Sequence, residues 1–145
     1  MGRLKNHMME KRYRWDVAHM KAAEAYASLS FDPDRKVGCV IACDDSVVAC
    51  GWNGTPPGEP NDCKGEDGKT LPTVIHAEMN AIQNAFDPIE GCTVYITLSP
   101  CHDCALELIN NDVKRVVYKD LHKCRQGLDM LEVWGIETEQ VNDRC

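Results

Sequence analysis

Two short stretches of the sequence gather the side chains that hold metals and move protons: His76-Ala77-Glu78, and Pro100-Cys101-His102-Asp103-Cys104. Cys101 and Cys104 are three apart, so a helix sets both sulfurs on one face, where they can grip a single ion. His76 and Glu78 are two apart and diverge on a regular helix, which predicts that His76 lies at the very start, before helical geometry is established. Each stretch is expected to open a helix, whose N-terminal positive end favours the thiolate form that binds metal. One histidine and two cysteines make three ligands for Zn2+. A structural zinc site normally has four, so the fourth position is open to water, and zinc brings that water's pKa towards neutrality. Glu78 is the carboxylate placed to take a proton from the water and deliver it to a substrate. A closed alternative recruits Cys63 as a fourth ligand, giving a Cys3His structural zinc in a non-catalytic interaction module. That alternative leaves Glu78 without a task.

The elements that must position these groups can be read from periodicity. Lys11 to Leu29 is Ala-rich, without Gly or Pro, and predicts a helix that ends before Pro33. Val37 to Ala42 and Val47 to Cys50 are β-branched apolar runs separated by Asp44, Asp45 and Ser46, the composition of a hairpin. In Gly51 to Val74, 9 of 24 residues are Gly or Pro. A structureless segment of that length inside a compact domain is often functional. From His76 onward the pattern alternates: helix His76 to Phe86, strand Cys92 to Leu98, helix Cys101 to Asn110, strand Val113 to Tyr118, helix Cys124 to Trp134 and strand Ile136 to Val141. A hairpin followed by helix and strand units predicts a single α/β domain over residues 1–145, a mixed sheet of about five strands with helices on both faces.

Composition excludes several classes. The 145 residues carry 16 basic and 23 acidic side chains, a net charge of -7, which disfavours a nucleic-acid partner. No apolar run approaches the roughly 20 residues of a membrane span. The N-terminal MGRLKNHMMEKRYRW has no apolar core behind its basic residues, so no export leader is expected and the predicted compartment is the cytoplasm. Nine cysteines in a reducing compartment point to metal ligation or buried thiols before disulfides. Cys39, Cys43, Cys50, Cys92 and Cys124 read as small buried residues, and Cys145 as an exposed terminal thiol.

His-x-Glu followed by Pro-Cys-x-x-Cys is the signature of zinc nucleobase deaminases. Its surroundings here, IHAEMNAI and VYITLSPCHDCALELI, resemble the deoxycytidylate (dCMP) deaminase branch of the cytidine/deoxycytidylate deaminase superfamily. DPDRKVGCVI resembles that branch's first strand and the loop before it, GWNGTPPG its glycine-rich loop, and RVVY with GLDMLEVWGI its C-terminal strand and helix. The resemblance runs from about Trp15 to Val141 and implies a three-layer α/β/α cytidine-deaminase-like fold.

The resemblance implies hydrolytic deamination of dCMP to dUMP and ammonia, supplying the thymidylate precursor. His76, Cys101 and Cys104 would hold one catalytic Zn2+ per subunit, with Glu78 as proton shuttle. Asn53 would contact the sugar or orient the base, and the backbone amides of Ala77 and Cys101 would bond the pyrimidine carbonyl. Arg35 and Lys36 are the candidates for the 5′-phosphate. Tyr118, at a strand end where ligands tend to sit, reads equally as a wall of the base pocket or as a core tyrosine. The resemblance further implies a homo-oligomer, a hexamer favoured. It also implies activation by dCTP and inhibition by dTTP, Mg2+ accompanying the triphosphates, through a site that includes Gly51, Trp52, Asn53 and Gly54. Only 17 residues separate Gly58 from His76, where larger members carry an insert, and Cys63 has no evident partners for a second zinc. Related deaminases act on dCTP, deoxycytidine or tRNA adenosine. The tRNA enzymes usually carry Glu where Ser99 stands, and the acidic charge argues against tRNA.

Overall fold

The computed structural model describes residues 2–58 and 62–142. Its elements are α1 (Gly2–Ala27), β1 (Gly38–Cys43), β2 (Ser46–Trp52), α2 (Ala77–Asn84), β3 (Thr93–Leu98), α3 (His102–Asn110), β4 (Arg115–Asp120), α4 (Gln126–Val133) and β5 (Glu137–Gln140). The sheet order is β2-β1-β3-β4-β5, and the predicted mixed five-stranded sheet is found. β1 pairs antiparallel with β2 and β3, whereas β3, β4 and β5 run parallel. The hairpin turns on Asp44 and Asp45, both at positive φ (49° and 68°), as the twist of a two-residue hairpin connection demands.

Alternation along the strands sorts the two faces. Val40, Ala42, Tyr95 and Val117 pack with Met20 and Ala23 of α1, while Cys39, Ile41, Val94, Ile96, Val116 and Tyr118 pack with residues of α2, α3 and α4. These are the expected layers, with one helix on one face and three on the other. The stretches that begin at His76 and at Pro100 belong to the three-helix side.

Two sequence expectations change. The first helix begins at Gly2 rather than Lys11 and ends at Ala27 rather than Leu29. Its buried residues start only at Asp16, so the first half shows no apolar period to read, yet its Leu, Met, Lys and Arg residues propagate a helix well. Cys43 and Cys92, expected as separate thiols, are joined in a disulfide. They directly follow the Ala42–Thr93 pair of the antiparallel β1–β3 ladder, which brings their Cα atoms to 4.6 Å. Sequence separation of 49 hides that neighbourhood. Cys145 lies outside the described residues.

α1 is fastened to the sheet by a buried ion pair. Arg115 on β4 donates to both carboxylate oxygens of Asp16, at 2.8 and 2.6 Å, and the Tyr95 hydroxyl donates to Asp16 Oδ1 at 2.9 Å. Glu137 and Glu139 of β5 complete the surroundings of the guanidinium.

Candidate metal and catalytic site

His76 is the N-cap of α2 and Cys101 the N-cap of α3, each with extended backbone (ψ 156° and 174°) and neither helix capped by a side chain. The local geometry thus places His76 before the helix, as the two-residue spacing to Glu78 requires. Among the described residues a single cluster could hold a metal: His76, Cys101 and Cys104, with ligand atoms all within 4.8 Å of one another. His76 Nδ1 lies 3.5 Å from Cys101 Sγ and 3.4 Å from Cys104 Sγ. Ligands at zinc bond lengths of about 2.0–2.3 Å in tetrahedral array stand roughly 3.5 Å apart, so the donor set fits Zn2+ without rearrangement. Cys63, although buried, is not a member of the cluster, which removes the closed Cys3His alternative as drawn from sequence.

The electrostatics agree with that chemistry. The Cys104 thiol and the His76 ring both bond the Cys101 sulfur and hold its thiol down to about 3. The same sulfur contact, with burial, pushes Cys104 up, so the pair shares one proton until a cation replaces it. Bonding to Cys101 raises the His76 pKa. Burial pushes the Glu78 carboxyl up to about 7, where it exchanges protons near neutral pH.

A cavity of about 230 Å3 opens beside these groups, lined in part by His76, Ala77, Glu78, Leu98, Ser99 and Cys101. Arg35, Val37, Asn53, Asp32, Lys64, Thr70, Val74 and His122 complete the lining. Sequence reasoning thus anticipated Arg35, Asn53, His76, Ala77, Glu78 and Cys101 on one cavity. Cys104 lies behind it as a buried ligand.

Other expected residues go elsewhere. Lys36 does not line the cavity: its ammonium donates to the Ser30 carbonyl, and it lines an adjoining shallow pocket with Glu24 and Lys119, to which Arg35 also contributes. Tyr118 is buried in the core with Leu128 and Leu131 and does not line the cavity. Asn53 is buried, its Oδ1 accepting from the Val37 amide and its Nδ2 donating to the Arg35 carbonyl, both at 2.9 Å. It therefore shapes the strand entry that carries Arg35. An ideal Cβ at Gly51 falls 2.5 Å from the Ala81 amide nitrogen, so glycine there lets α2 press on β2. Trp52 stacks on Tyr26 with ring centroids 6.2 Å apart, and Gly54 exchanges backbone bonds with Ile75 just before His76.

Asp32, Lys64, Ser99 and His122 were not singled out as site residues from sequence. Asp32 Oδ1 accepts the amides of Asp34 and Arg35 at 2.9 and 3.1 Å, and Lys64 approaches the Asp32 and Asp34 carboxylates at 3.6 Å. Lys64 of the glycine-rich segment is thereby held at the cavity wall. The one sequence signal was Asp32 itself, an aspartate at the head of a turn.

Residues 13–120 match the family model described as "Cytidine and deoxycytidylate deaminase zinc-binding region". A probable deoxycytidylate deaminase of Caenorhabditis elegans is 38% identical over 133 residues, covering 84% of this chain and 67% of the relative. The deoxycytidylate deaminase of Pongo abelii is 34% identical over 145 residues, covering 90% and 82%. Among solved structures, the dCMP deaminase of cyanophage S-TIM5 in complex with dCMP and dUMP superposes with TM-score 0.84 at 38% identity, covering 86% of this chain and 95% of that one.

Proposed function

The chain belongs to the zinc-binding cytidine and deoxycytidylate deaminases, and from that premise we propose that it hydrolyses dCMP to dUMP and ammonia as a single catalytic domain over residues 1–145. The observation that carries this is the three-ligand cluster with the buried Glu78 beside it, opening on one cavity. His76, Cys101 and Cys104 would hold Zn2+. When bound, the ion supplies an acidified water and a positive charge opposite the developing anion.

The chain's own groups do the rest. Glu78, poised near neutrality, takes a proton from the attacking water and returns protons to the base, whose amino group leaves as ammonia. The amides of Ala77 and Cys101, at helix starts, suit the pyrimidine carbonyl. Asn53 holds the Arg35 segment against the nucleotide, and Arg35 at the cavity rim is placed for the 5′-phosphate.

Finer parts of the reading rest on the resemblance. They are activation by dCTP and inhibition by dTTP with Mg2+ through the segment Gly51, Trp52, Asn53 and Gly54, a homohexamer, and residence in the cytoplasm. Among the described residues no helix is long and apolar enough to cross a membrane.

The test is an ultraviolet assay of zinc-loaded protein offered dCMP, CMP, deoxycytidine, cytosine and dCTP separately, each with and without dCTP or dTTP as effector. Turnover confined to dCMP is the expected result. Preference for dCTP or deoxycytidine selects another cytosine deaminase, and zinc binding with no turnover on any of them overturns the deaminase reading.

A further inference from the structure

The loop after β4 carries His122 to the cavity wall, although its sequence context marks no function. Two contacts fix it there. The His122 amide donates to the buried Ser99 hydroxyl at 2.7 Å, and ring Nδ1 faces the Cys124 amide at 3.1 Å, in the position of an acceptor. A nitrogen that accepts carries no proton, so in the neutral ring the proton resides on Nε2. Among the described residues Nε2 has no protein partner. The ring is therefore a donor of defined tautomer with its bond unspent.

Its neighbours in the cavity indicate what the donor is for. Ala77 and Glu78 are buried, whereas Arg35 is exposed, and Lys64 and His122 are half-buried. Three segments far apart in sequence thus bring three cationic or donor side chains to the wall of one cavity in a chain of net charge -7. Lys64 is already engaged by Asp32, Asp34 and Thr70, and the guanidinium of Arg35 has no partner among the described residues. The free donors at the rim are thus Arg35 and His122. In a nucleoside monophosphate whose base reaches Glu78, the group remote from the reacting carbon is the 5′-phosphate.

We propose that His122 is a specificity-determining residue, its Nε2–H donating to the 5′-phosphate alongside Arg35, so that the site prefers a nucleoside monophosphate to the nucleoside. This rests on the deaminase reading above. A bond from a ring N–H to a phosphate dianion is charge-assisted and stronger than a neutral one.

The experiment compares kcat/KM for dCMP and for deoxycytidine in the wild type, His122→Leu and His122→Gln, all zinc-loaded. His122→Leu should lose roughly ten- to a hundredfold on dCMP, carried by KM, and change little on deoxycytidine. His122→Gln, which keeps an N–H near the Nε2 position, should recover most of that loss. Equal losses on both substrates, or an unchanged dCMP value, overturn the assignment while leaving the deaminase reading intact. A wild-type protein inactive on every cytosine compound overturns that reading and this assignment with it.

Discussion

The role proposed for Glu78 and that proposed for His76, Cys101 and Cys104 are separable by single substitutions. Glu78→Gln removes the carboxylate that exchanges protons but no ligand, so metal analysis should find zinc at the wild-type ratio while kcat falls by at least roughly a hundredfold. A Gln variant with wild-type turnover would place the proton relay elsewhere. Within each stretch these residues were legible because spacing on a helix and position at its start are local, while the meeting of the two stretches was implied by the family resemblance. Lys36 and Tyr118 were not, since their neighbours come from other segments. The adjacent Arg35 and Lys36 cannot be told apart by spacing, and only the packed loop sends Lys36 to the Ser30 carbonyl and leaves Arg35 on the cavity.

Elements position these atoms through close backbone contacts that tolerate little change. An ideal Cβ at Gly127 on α4 would lie 2.1 Å from the Pro100 carbonyl oxygen and 2.8 Å from that of Cys101, so α4 rests directly on the loop that presents the metal cysteines. Gly127→Ala must displace one or the other, at a cost of about 1–3 kcal/mol. The expected outcome is a lower melting temperature together with faster zinc release to a chelator; an unchanged release rate would mean that α4 yields and the metal loop does not. On the opposite face, Asp16→Ala removes the acceptor of Arg115 and of Tyr95 but leaves Glu137 and Glu139 beside the guanidinium, which should cost about 1.5–3 kcal/mol, read from the urea midpoint. The order of elements followed from periodicity, but the extent of α1 did not, because its first half is helical without a buried face to reveal it.

For the whole molecule, acid stability carries the imprint of a histidine remote from catalysis. His19 is buried between Trp15 and Tyr95, ring centroids 5.5 and 4.8 Å away, and its Nε2 has no partner among the described residues. Burial pushes its pKa down, opposed in part by the Asp45 and Asp16 carboxylates. The unfolded chain therefore binds the proton more readily than the folded one, so stability is intact above the ordinary histidine value of about 6.5 and falls as pH drops below it. With zinc saturating, melting temperatures between pH 8 and 5.5 should decline less steeply in His19→Phe than in the wild type; parallel curves would remove His19 from the account. That site, like the cavity rim, is a product of layers closing on each other. What the sequence determined alone was the pairing of Cys101 with Cys104 on one helix face, the place of His76 ahead of Glu78 and the alternation of elements, because each is written in spacings a helical turn or a strand pleat can read, while the family followed from the resemblance of whole motifs. Tertiary structure decided the destinations of Lys36 and Tyr118, the inward task of Asn53, the pairing of Cys43 with Cys92, and the gathering of Arg35, Lys64 and His122 around one cavity. Those outcomes depend on which distant segments pack together, and no local period encodes them.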